Sequence, residues 1–166
     1  MATKSDFSTA EWQTLRDAPH LVVIAVAAAG GSGLFGSLKE AIAPAGGIVE
    51  ALKGNNALLR DVCAKEEIKA AIDNLKDQSK AEDLKSIQAV FRQRAIESSR
   101  DAVDILKNKG LTEDAAAYAD FIKNLGDRVA NAAKEGSFLG FGGERVSEPE
   151  RILLTELAEA LLVASA

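Results

Sequence analysis

A chain of 166 residues with 47% hydrophobic content is long enough for one domain with a proper core. Only six Phe, one Tyr and one Trp are present and alanine is abundant, so the core must be built from small side chains, as closely packed helices allow. The formal charge of −5 weighs against a nucleic-acid role, because phosphate binding needs a cationic footprint.

The most basic stretch, 80–109, bears this out in miniature. Its seven cations are interleaved with five acids (Glu82, Asp83, Glu97, Asp101 and Asp104), the pattern of a solvated mixed-charge helix face. The single cysteine, Cys63, allows no internal disulfide and lies in an apolar helical stripe, so a buried structural thiol is expected. Residues Met1 to Ser8 lack the basic-then-apolar order of a secretory signal, and the expected location is the cytoplasm. The stretch from Ala18 to Leu38 has 21 residues without a formal charge, which is membrane-spanning length. Pro19, His20 and the cluster Gly30, Gly31, Ser32 and Gly33 interrupt it, so it reads as a buried core helix and no membrane span is expected.

In chain order, Ser8 with Glu11 forms a capping box that opens a short helix ending near Asp17. Pro19 then suits the first turn of a second helix, residues 19–29, which is apolar on every side and ends at Gly30. His20 is expected in that first turn. Leu34, Phe35, Leu38 and Ile42 continue at helical spacing until Pro44, and Ile48 to Lys53 adds a further turn or two. Long amphipathic helices are expected over 57–77, 80–109, 113–135 and 148–163. Their caps are an asparagine of the Asn55-Asn56 pair, the Ser79–Glu82 box, Thr112 and the Ser147–Glu150 box, with Gly110 as an αL terminator. Tyr118, Ile122, Leu125, Val129 and Ala132 alternate by four and three, the spacing of a bundle seam. The expected fold is therefore all-α: one domain over 1–166, a bundle of about six helices with the 19–29 helix at its centre.

Motifs that carry chemistry are scarce. Gly31, Gly33 and Gly36 match the dinucleotide-binding glycine pattern after an apolar run, with Glu50 placed 19 residues beyond Gly31. Ala27-Ala28-Ala29 favours helix, however, and no strand-rich region follows to complete a sheet. His20, the one histidine, has no partner at metal-ligand spacing, and no nucleophile elbow is present. No catalytic residue, metal or cofactor is expected. Acids such as Glu66, Glu67, Asp73 and Asp77 read as an exposed face.

Aromatics flanked by glycine, Phe35 in one loop and Phe138 and Phe141 in another, either plug the bundle end or anchor a partner. The helix over 80–109 carries a second apolar stripe, Val90, Ile96, Val103 and Leu106, which lacks an evident internal partner. The expected function is a non-enzymatic interaction or structural protein that forms a homodimer, with Phe35, Phe138, Phe141, Ile96 and Val103 as interaction candidates. The alternative is a small-molecule or nucleotide-binding protein using Gly31, Gly33, Gly36 and Glu50. A third reading is a bundle with a cavity for an apolar ligand.

Overall fold

The computed structural model describes residues 2–30, 46–78, 84–135 and 146–165. Among them are seven α-helices and no strand: α1 (Thr9–Ala29), α2 (Gly46–Lys53), α3 (Ala57–Val62), α4 (Lys65–Gln78), α5 (Leu84–Asn108), α6 (Thr112–Glu135) and α7 (Glu148–Ser165), preceded by a 3-10 turn at Lys4–Asp6. No described helix is long and apolar enough to cross a membrane. The expected all-α bundle is what forms. The Ser79–Glu82 box and the helical pattern from Leu34 to Ile42 lie outside the described residues.

The largest departure concerns α1. Ser8 opens it as expected, with its hydroxyl accepting from the Glu11 N–H at 3.3 Å and its own N–H donating to the Glu11 carboxylate at 2.7 Å. The helix does not stop at Asp17. It runs unbroken through Pro19 to Ala29. An interior proline has no N–H for the carbonyl four residues back, so the Leu15 carbonyl loses its helical donor inside the core. The buried Tyr118 hydroxyl supplies the donor instead, at 2.7 Å. His20 accordingly sits in the middle of a 21-residue helix and not in a first turn.

α1 is the axis of the bundle, packed chiefly against α5 and also against α4, α6 and α7. Every residue from Leu15 to Ala28 is buried, and from Leu21 onward the helix is apolar on every side, as a central position requires. The two ends of the α1–α5 pair fix its direction. Gln88 on α5 donates to the Ala28 carbonyl at 3.1 Å, and Lys109, just past α5, pairs with Glu11 at 3.2 Å, so the helices run antiparallel. α6 returns parallel to α1, and α7 descends beside α5, joined to it by Arg92 and Glu156. At the base, Lys4 and Phe7 pack on Trp12, and the Trp12 indole N–H donates to Glu67 at 2.9 Å.

The expected single helix over 57–77 is two helices, α3 and α4, parted at Cys63 and Ala64. The apolar pattern changes phase there. At 100° per residue, a straight helix would point Leu58 and Val62 roughly a quarter of a turn away from Ile72 and Leu75. Breaking the helix lets all four residues be buried. The α5–α6 turn follows expectation. Gly110 takes φ +75°, its N–H donates to Lys107 at 2.8 Å, and the Leu111 N–H donates to Leu106 at 2.9 Å, the two bonds of a Schellman motif. Thr112 is already helical, and Leu111 supplies the first carbonyl of α6. α6 and α7 approach closely at Gly126, where a Cβ would lie 2.8 Å from the Leu154 side chain.

Two measurements check this account. Tyr118→Phe strands the Leu15 carbonyl in the core, and urea unfolding should show a loss of about 1–3 kcal/mol. In a Pro19→Ala background, residue 19 regains its N–H and the same change should cost less than half as much; equal costs in both backgrounds would show that the hydroxyl does not serve that carbonyl. Ile24→Ala, at a position 3% exposed, should cost about 2–4 kcal/mol by the same assay.

Candidate functional site

Two features stand out from a core that is otherwise plainly apolar. The first is a set of polar side chains within α1 and its neighbours. Continuity of the helix carries Arg16, Asp17 and His20 into the buried run, on successive turns. The Arg16 guanidinium meets Asp17 Oδ1 at 2.7 Å, and Asn74 on α4 donates to Asp17 Oδ2 at 2.7 Å. The pair is buried on both sides, so removing either charge would strand the other in the core. On α5, Ser99 is fully buried, and its hydroxyl has no hydrogen-bond partner among the described residues; the same is true of His20 Nδ1.

Burial governs the protonation of this region. It pulls the His20 imidazole down to about 4, assisted by the nearby Arg16 charge, so the ring is neutral at pH 7. It pushes the Cys63 thiol up to about 12. Tyr118 is raised well above its ordinary value, first by burial and then by Cys63 and Asp17. Thiol and phenol thus stay protonated at neutral pH, and the expected structural role of Cys63 matches its position between α3 and α4. At Glu67 burial raises the carboxyl, but hydrogen bonds from Lys4 and Trp12, with the charges of Lys4 and Arg16, outweigh it and hold the carboxyl low.

The second feature is an open groove between α5 and α7. Ala89, Ile96 and Ala160 give it an apolar floor, and charge lines its sides: Arg92 and Arg100 from α5, Glu156 and Glu159 from α7. Arg92 grips Glu156 with two parallel bonds, Nε at 3.0 Å and an outer nitrogen at 2.6 Å. Ile152, exposed on the same α7 stripe as Glu156 and Glu159, extends the apolar surface towards the start of the helix.

The residues singled out in the sequence fall into three groups. Ile96 lies in the groove and is half-buried. Val103 and Leu106 are fully buried within the chain's own core, so the surplus stripe contracts to Val90 and Ile96, and a partner surface has no access to Val103. Gly31, Gly33, Gly36, Phe35, Phe138 and Phe141 lie outside the described residues. Glu50 sits exposed on α2 and pairs with Arg128 at 2.6 Å. The apolar run before the glycines is helix, where a dinucleotide site needs a strand. Glu66 and Asp73 are exposed as expected, whereas Glu67 is half-buried by its bond to Trp12. Arg16, Asp17, Asn74, Ser99 and the groove charges were not anticipated. A four-residue spacing, Arg92-Ile96-Arg100, is the sequence signal for the groove.

His20 gives the fold a pH dependence of known sign. The folded ring binds a proton less readily than the unfolded one, whose value is 6.5, so stability is complete above pH 6.5 and declines as pH falls towards 4. Between pH 7 and pH 5 the loss should be about 2 kcal/mol. His20→Leu should flatten the curve in that interval. An unchanged slope in this variant would remove His20 as the cause.

No protein-family model matches the sequence, and comparison with curated proteins and with solved structures gives no significant match.

Proposed function

We propose that this protein is a self-associating helical module that works by binding a second copy of itself through the α5–α7 groove. The observation that carries this reading is the division of charge across the groove. Arginine lines one wall and glutamate the other, on two helices that run in the same direction. A two-fold axis running along the groove sets each wall of one protomer against the opposite wall of its partner, so Arg100 of one copy faces the Glu159 wall of the other, and the reverse. Ile96 and Ile152 supply apolar contact between the charged edges. A net charge of −5 opposes such pairing only weakly once salt screens it.

This arrangement makes the protein an interaction or structural component whose function is assembly. The buried, protonated Cys63 is consistent with residence in the reducing cytoplasm.

Light scattering at micromolar concentration should give a mass near twice 17.5 kDa. Ile96→Glu should produce monomer with unchanged helix content. Arg100→Glu should weaken the dimer, and adding Glu159→Arg should restore it by exchanging the walls. A monomer at high concentration for the unmodified chain would end the proposal.

A further inference from the structure

Arg92 and Glu156 reach each other across the α5–α7 groove through two parallel bonds, Nε to Oε2 at 3.0 Å and Nη2 to Oε1 at 2.6 Å. The contact fixes both groups at one height along the groove. Their side chains remain 46% and 41% exposed, so the pair stands in water and adds little to the stability of a single chain. Its capacity for hydrogen bonds is also far from used. A guanidinium has more N–H groups, and a carboxylate more lone pairs, than two bonds consume. Neither group has a further hydrogen bond among the described residues.

A second copy seated on this groove can be related to the first by a two-fold axis along the groove or by one across it. An axis across the groove lays the arginine wall on the arginine wall and glutamate on glutamate. An axis along it preserves height and exchanges the walls. Arg92 then comes over Glu156 of the second copy, and Glu156 over Arg92 of that copy. Only this arrangement joins unlike charges; like charges pressed together away from water repel strongly. One turn on from the pair, Ile96 on α5 and Ala160 on α7 stand level, and the same axis lays each Ile96 over Ala160 of the second copy.

We infer that the protein forms a parallel dimer in which Arg92 and Glu156 of both copies close a ring of four alternating charges across the two-fold axis. The ring rests on the self-association proposed above and adds the rule by which a copy recognises its mate: each wall accepts only its opposite at the same height. The bond within each chain arranges the ring in advance, because both side chains already hold the orientation it uses and have little rotamer freedom left to lose. Their spare donors and acceptors meet the demand that burial makes on a charge, which must stay paired and hydrogen-bonded. Such a dimer is polar. Both copies present the same end of the bundle on the same side.

Exchange of the two charges tests the ring. Arg92→Glu combined with Glu156→Arg reverses the walls at this height while keeping the pair within the chain. The doubly substituted protein, carrying a mass tag, is mixed with the unmodified one, left to exchange subunits and read by native mass spectrometry. Each should form its own homodimer. The mixed dimer sets arginine on arginine and should fall to roughly one tenth of the population, against about half for random exchange. A mixed dimer at or above the random share would overturn the ring, an excess being the mark of an axis across the groove. Failure of the doubly substituted protein to dimerise beside a dimeric parent would overturn it equally. A monomeric parent would instead remove the self-association on which the ring rests.

Discussion

Everything in this bundle turns on one hydrogen bond, from the Tyr118 hydroxyl to the Leu15 carbonyl. Pro19 would otherwise divide the first helix, because its ring removes a donor and crowds the preceding turn. With the carbonyl satisfied from a neighbouring helix, α1 stays whole and can serve as an axis. Four helices then pack on one rod instead of on two short pieces meeting at an angle. The phenol also sets how α6 lies against α1, since its oxygen must reach a single backbone atom. Gly126, two turns further on, brings Val22 of α1 within reach and lets α7 approach.

An unbroken axis has a cost. It carries Arg16, Asp17 and His20 into the interior, where each must be neutral or partnered. The chain answers differently at each position. Arg16 and Asp17 neutralise one another with help from Asn74, whereas His20 sheds its proton. These groups add little to stability compared with hydrophobic residues of similar volume. They do fix the rotation of α1, because only one orientation satisfies Asp17 from α4 and Leu15 from α6 at once.

Much of the fold was legible in the sequence, and the reasons differ between elements. The Gly110 terminator, the Ser8 cap and the seam from Tyr118 to Val129 are local signals whose meaning depends on neighbours in the chain. The continuity of α1 was not legible, because a proline and the tyrosine that rescues its helix stand 99 residues apart, and no local rule connects Pro19 with Tyr118. The break at Cys63 was present as a phase shift in the apolar pattern, hidden by counting apolar residues without following their direction. At the candidate groove, Ile96 was found from its stripe, but Val103 was misplaced because the stripe alone does not reveal which part the neighbouring helices cover. The glutamate wall of α7 depends on α5 and α7 lying side by side, a relation between distant helices that no local pattern carries.

The order of the helices along the chain bears on how the protein is born. Its central helix precedes, in synthesis, nearly every element that covers it. At a few to twenty residues per second, a nascent chain carries the apolar stretch from Leu21 to Ala28 for on the order of ten seconds before α6 and α7 have been made. Through that interval the least soluble part of the molecule depends on transient cover by α4 and α5 or by a chaperone. Burial of the first helix is thus a late event governed by contacts distant in sequence, and elongation speed across residues 30–150 becomes a determinant of yield.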